Sequence, residues 1–145
     1  MVYVDTSVWV ALLTSEAETA RVEQWFGQVA EPLVSADWTL TEFHSAIAIK
    51  ARTGQLSADQ AGEVRALFAQ LCAGGLTLIP VSRAAYRAAA VLVDAALVSG
   101  VQQGLRGADA LHIAVAQELG LQGFATLDRN QAANAQRLGL TLELP

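Results

Sequence analysis

Four acids in this sequence stand where an apolar run gives way to a turn or a helix. Asp5 follows Val2, Tyr3 and Val4, Glu42 lies early in the stretch 37–52, Asp109 opens 108–119, and Asp128 follows 123–127. Brought together, two carboxylates roughly 5 Å apart repel by about 3 kcal/mol at an effective dielectric of about 20, so a cluster stays ionised only beside cations. Hard oxygen donors select Mg²⁺ or Mn²⁺, and ions so held can activate water as a nucleophile. Taken singly, each acid reads equally well as a helix cap or as a favourable charge at a helix N-terminus. The chemistry therefore depends on whether the four meet.

The elements that must position them can be read along the chain. Short β-favouring runs predict strands over 2–4, 33–35, 76–81, 123–127 and 140–144. Between them, apolar spacing near 3.6 residues predicts helices over 6–13, 16–29, 37–52, 83–99, 108–119 and 130–138. A further helix opens at a capping box, Ser57 with Gln60, and runs to about Cys72. Thr6 and Ser7 offer capping hydroxyls to the first helix, and 100–107 reads as a Gly/Gln-containing loop. Helices alternating with strands predict an α/β fold with a mainly parallel central sheet of about five strands, covered on both faces. In such a sheet, acids at strand ends and helix starts open on one edge, where ligands bind.

Composition narrows the class. At 145 residues, 53% apolar and 16% charged, the chain reads as one domain over 1–145 with ample material for a core. A net charge of −5 argues against a broad basic face for nucleic acid, though two divalent cations would bring the total close to neutral. The mean hydropathy of +0.36 is high for a soluble monomer and points to apolar surface hidden against a second copy or another protein. No segment reads as a membrane span, since the apolar stretch 84–98 carries Arg87 and Asp94. The start lacks a basic leader and contains Asp5, which argues against a secretory signal, and a single Cys72, read as apolar filler, suits a reducing cytoplasm.

With these residues in view, the chain resembles the PIN-domain ribonucleases and, among them, the VapC-type toxins of bacterial toxin-antitoxin pairs. Val4-Asp5-Thr6-Ser7-Val8-Trp9 is similar to the opening motif of that family, Thr41-Glu42-Phe43 to its second, Ala108-Asp109-Ala110-Leu111-His112-Ile113-Ala114 to its third, and Thr126-Leu127-Asp128-Arg129 to its fourth. The resemblance covers essentially the whole chain. It implies a PIN-like three-layer sandwich, Asp5, Glu42, Asp109 and Asp128 as catalytic acids that bind Mg²⁺ or Mn²⁺, and hydrolysis of RNA by a metal-dependent endoribonuclease. It also implies a VapB-like antitoxin as cognate partner, a homodimer, and a cytoplasmic protein.

Other residues keep two readings each. His112, three positions after Asp109, shares its helix face and could act as a general base, or it could be a buried histidine that hydrogen-bonds an acid or fills the core. His44 points elsewhere, toward surface or interface. Arg106 and Arg129 flank two of the acids and could grip phosphate or be ordinary surface arginines. Thr6 and Ser7 could bond a ligand, and Asn130 reads as a cap before it reads as a ligand. Trp9, Trp25 and Trp38 suit core or interface anchoring better than base stacking. Dinucleotide binding lacks its glycines after the first strand. A haloacid-dehalogenase-like nucleophile lacks its second acid, and a receiver domain lacks its strand-end lysine, since Lys50 is the sole lysine and lies in a helix. The remaining rival is a PIN-like module that binds RNA or protein without cutting.

Overall fold

The computed structural model describes residues 1–98 and 104–144. Along the chain run β1 (Val2–Val4), α1 (Thr6–Leu13), α2 (Thr19–Phe26), β2 (Leu33–Ala36), α3 (Trp38–Arg52), α4 (Ala58–Gly74), β3 (Leu76–Ile79), α5 (Arg83–Val98), α6 (Gly107–Glu118), β4 (Gly123–Ala125), α7 (Arg129–Arg137) and β5 (Thr141–Leu142). The five strands form one sheet of order β3-β2-β1-β4-β5, and every adjacent pair is parallel. This is the three-layer α/β architecture expected from the alternation of elements.

Alternation of side chains along β1 divides the core in two. Val2 and Val4 join Trp9, Val22, Phe43, Ile47 and Phe68 on the face covered by α1 to α4. Tyr3 joins Ala89, Leu111, Ile113 and Phe124 on the face covered by α5 and α6. Full burial of a side chain such as Phe43 or Phe68 contributes about 1.5–3 kcal/mol, so each layer is held by its own apolar cluster. Trp9 is fully buried and donates its Nε1–H to Ser35 Oγ at 2.9 Å, a core anchor as expected. Cys72 is partly buried against the same cluster, which raises its thiol pKa.

The chain builds outward from β1 through β2 to β3, then returns to the other side of β1 to add β4 and β5. The strand order therefore reverses beside β1, and the carboxyl ends of β1 and β4 border the crevice that such a switch point leaves open. Asp5 follows the first of these strands directly, and its N–H continues the ladder to Ala125 O at 2.9 Å.

Several boundaries differ from the sequence reading, each for a local reason. β3 stops at Ile79 because Pro80 has no N–H to donate. α2 begins at Thr19, not at Glu16, because the Glu16 N–H is taken by Thr19 Oγ1 at 2.9 Å, making 16–18 a turn. β4 ends at Ala125 and not at Leu127: the Leu127 N–H goes to Ser7 Oγ and the Asp128 N–H to Thr126 Oγ1, both outside the ladder. Asp128 is thus the N-cap of α7 after a short turn rather than a strand-end residue. β5 spans two residues of the five expected. The capping box of Ser57 and Gln60 is present. The expected helix end at Ser99 and the 100–103 part of the loop lie outside the described residues.

Candidate active site

Asp5 caps α1 itself. Its backbone is extended, and its Oδ2 accepts from the Ser7 N–H at 3.1 Å and from Ser7 Oγ at 2.6 Å. The capping expected of Thr6 and Ser7 is therefore corrected: β1 ends at Val4, so the next residue takes the cap and both hydroxyls fall inside the helix, free to serve the acids. Ser7 Oγ also accepts from Leu127 N at 3.0 Å, tying α1 to the turn after β4. Thr6 Oγ1 donates to Glu42 Oε2, tying α1 to α3. Asp5 is almost fully buried, and Thr126 Oγ1 stands 3.3 Å from its Oδ2.

Glu42 projects from the second turn of α3. Its Oε2 lies 2.6 Å from His112 Nε2, and the same nitrogen is 3.4 Å from Asp5 Oδ1. Burial pushes the Glu42 carboxyl upward, but the hydrogen bond and charge of His112, with the Thr6 hydroxyl and the Trp38 indole, outweigh it and leave its pKa lowered. For His112 burial works against the charged form, while the charge of Asp5 and the bond and charge of Glu42 prevail and raise its pKa. His112 is buried on α6, where its Nδ1 meets Tyr3 Oη at 2.7 Å. Among the described residues, Asp5, Glu42 and His112 form a group whose potential ligand atoms all lie within 4.8 Å of one another.

Asp109 and Asp128 complete the wall and are bridged by one cation. Arg106, the N-cap of α6, places Nε 3.2 Å from Asp109 Oδ2 and Nη2 3.3 Å from Asp128 Oδ2. Burial raises the Asp109 pKa, with Asp128 and Asp5 pushing the same way and Arg106 opposing. Asp128 Oδ1 accepts from the N–H groups of Asn130 at 2.8 Å and Gln131 at 2.9 Å.

All four acids line one open groove of about 770 Å³, with Thr6, Ser7 and Arg106 beside them, Trp38, Ile49 and Leu127 as apolar wall, and Glu16 and Glu18 farther along. Of the residues singled out from the sequence, the four acids, Thr6, Ser7, Arg106 and Trp38 line this groove and His112 backs it through Glu42, whereas others fall elsewhere. Arg129 is exposed at the first position of α7 and is not among the described residues lining the groove. Asn130 turns its Nδ2 to Gly104 O at 3.1 Å, anchoring the segment before α6. His44 is exposed on α3, as expected.

Sequence reasoning missed Tyr3, Trp38, Thr126 and Gln131 as parts of this constellation. Thr126 donates to Gln131 Oε1 at 2.6 Å, and Gln131 Nε2 reaches Asp109 O at 3.3 Å, so a buried polar file links the fourth acid's turn to the third acid's helix. The only local signal was a polar residue at a buried position, which sequence alone does not reveal. Oxygen donors predominate, burial and then the neighbouring acids raise the Asp109 pKa, and the space between them is open. These are the properties a site for a hard divalent cation requires.

Comparison with known proteins agrees with this fold. The family model described as PIN domain matches residues 2–137. Comparison with curated proteins gives no match. Among solved structures, the chain is similar to Mycobacterium tuberculosis VapC20, described as a sarcin-ricin loop cleaving toxin, at 19% identity and TM-score 0.70 over 92% of this chain and 94% of that one. It is similar to FitAcB from Neisseria gonorrhoeae at 19% identity and TM-score 0.68, covering 98% and 96%. It is also similar to VapBC2 from Rickettsia felis, solved with a DNA fragment from its promoter, at 14% identity and TM-score 0.67, covering 98% and 97%.

Proposed function

Because this chain belongs to the PIN-domain family, we propose that it is a single-domain, divalent-cation-dependent endoribonuclease and the toxin of a toxin-antitoxin pair. The observation that carries this reading is the convergence of Asp5, Glu42, Asp109 and Asp128, remote in sequence, on one groove at the sheet's carboxyl edge. The printed description of VapC20 as a toxin that cleaves the sarcin-ricin loop supports the same class.

In this reading Asp5 and Asp109 hold the principal Mg²⁺ or Mn²⁺, and Glu42 and Asp128 complete the set or orient the attacking water. A cation so held supplies positive charge that acidifies water and offsets charge on the phosphodiester oxygens. The protein's own groups prepare the site. Ser7 Oγ and Ser7 N–H fix the Asp5 carboxylate in place, and Thr6 Oγ1 fixes Glu42 and helps lower its pKa. Both hydroxyls serve the carboxylates as donors, and the step proposed is attack of water on the phosphodiester, without a covalent enzyme intermediate. Arg106 stands at the exposed rim, where a guanidinium can grip phosphate.

The resemblance to VapC-type toxins implies a small antitoxin whose basic side chains complement this acidic groove. A homodimer is supported by large apolar side chains left in solvent on α5, where Leu97 is 77% and Val98 89% exposed. No described helix is long and apolar enough to cross a membrane, and the proposed compartment is the cytoplasm.

The test is cleavage of RNA by the purified chain with Mg²⁺ or Mn²⁺, with chelator and Asp5→Asn as controls. Metal-dependent cleavage lost in the variant supports the proposal. Metal-independent RNA binding without cleavage identifies a non-catalytic binding module instead.

A further inference from the structure

The Tyr3, His112 and Glu42 side chains form a buried file whose middle member has three possible roles: cation ligand, general base, or support for Glu42. Hydrogen-bond accounting separates them. The Tyr3 hydroxyl is fully buried and already accepts the Ala36 N–H at 3.0 Å, so its own proton needs an acceptor. His112 Nδ1, at 2.7 Å, is the acceptor the described residues provide. Nδ1 is then bare, and in the neutral ring the proton sits on Nε2. The opposite tautomer would strand the Tyr3 proton. It would also set the bare Nε2 against Glu42 Oε2 at 2.6 Å and Asp5 Oδ1 at 3.4 Å, lone pair against carboxylate oxygen. A doubly protonated ring would keep the Nε2 donor but strand the Tyr3 proton as the opposite tautomer does, and neither it nor the neutral ring protonated at Nε2 leaves that nitrogen open to a cation.

We infer that His112 is a positioning residue: it donates its Nε2 proton to Glu42 Oε2 and so orients that carboxylate, without ligating the cation or accepting a proton from water. The closeness of its Nε2 to Asp5 and Glu42 reflects a hydrogen bond and not a third ligand. Glu42 Oε2 receives both Thr6 Oγ1 and His112 Nε2; the Trp38 indole N–H lies close enough to favour the carboxylate but makes no hydrogen bond, so among the described residues Oε1 is left for a cation. Tyr3 acts one step further back, anchored by the Ala36 amide of β2, and sets the tautomer of the histidine. The sheet thus reaches an acid on α3 through a residue on α6. Supports of this kind typically change metal affinity 10- to 100-fold when removed.

This inference rests on the nuclease reading only in giving Glu42 a cation to face. Its first test needs no metal: ¹⁵N NMR of the full chain, assigned through His112→Gln, should show a His112 ring protonated at Nε2 and bare at Nδ1. A ring protonated at Nδ1 alone overturns the assignment, and one protonated at both nitrogens overturns the role given to Tyr3. The second test is Mn²⁺ binding by calorimetry. His112→Gln, whose amide N–H can still reach Glu42, should bind within about threefold of wild type, while His112→Leu should bind roughly 10- to 100-fold more weakly. Tyr3→Phe, which keeps the packing and lifts the tautomer restraint, should fall between. An equal, large loss in both His112 variants makes the residue a ligand, and no loss in either makes it core filler, and each result overturns the inference. A wild type that binds no Mn²⁺ overturns the nuclease reading together with the claim that Glu42 is oriented for a cation. A wild type that binds Mn²⁺ with its His112 proton on Nδ1 alone overturns the assignment of His112 and not the nuclease reading.

Discussion

The two ends of the acidic groove hold their charges in opposite ways. At one end Asp5 and Glu42 are met by hydroxyls of Thr6 and Ser7, a backbone amide and the buried His112, all fixed on packed elements. At the other, Asp109 and Asp128 share the guanidinium of Arg106, whose side chain is 75% exposed. Charge-assisted bonds from a packed scaffold hold a carboxylate in one orientation. An exposed ion pair is worth about 0–1 kcal/mol and can be exchanged for another partner. In the reading proposed above, the first end is built in advance for a cation, and the second is balanced so that its arginine can be displaced toward a substrate phosphate when the acids find a stronger charge.

This contrast can be broken by experiment. The largest effect is expected from Asp5→Asn, which removes charge from the fixed end: cleavage in a single-turnover RNA assay should fall by about 10² or more. Mutating Thr6 to Val leaves Glu42 ionised but removes one of its two donors, and should lower the single-turnover rate about tenfold, in line with the loss of a charge-assisted bond of about 1.5 kcal/mol. A result equal to wild type would mean that the fixed end is not what orients Glu42.

Smaller effects test the other end. Asp109 is held above its usual carboxyl pKa by burial and by its acidic neighbours, so its ionised form opposes folding when no cation is present. Asp109→Asn should therefore raise the metal-free thermal midpoint by about 2–4 °C, the shift expected for about 1 kcal/mol in a chain of this size. Mg²⁺ or Mn²⁺ should raise the wild-type midpoint and leave that of the variant nearly unchanged. The smallest change belongs to Arg106→Gln: a midpoint within about 1 °C of wild type, and Mn²⁺ bound about two- to threefold more tightly because a competing cation is gone. Weaker Mn²⁺ binding in this variant would show that the arginine supports the site and does not compete for it.

Much of this protein was legible in its residues taken in order. The β-favouring run before Asp5, the capping box at Ser57, the proline at the end of β3 and the periodic stretch that carries Asp109 and His112 are local signals, governed by backbone sterics and by spacing along one element. They sufficed for the order of strands and helices, for the expectation of a parallel sheet, and for the four acids on its edge. The turn after β4 was less legible because Thr126 and Ser7 take backbone donors that a strand would otherwise use, and neither side chain announces its partner.

What only the tertiary structure decided is which of two readings each polar residue follows. Tyr3 and His112 are 109 positions apart, Asp5 and Thr126 are 121, and Glu42 meets His112 across 70. Spacing along a helix or strand says which face a side chain takes, whereas its partner across the crevice depends on how layers stack and strands are ordered. A histidine on an apolar helix face was consistent with base, filler or support. The choice came from the burial of a tyrosine hydroxyl on the neighbouring strand, because a buried proton must find an acceptor.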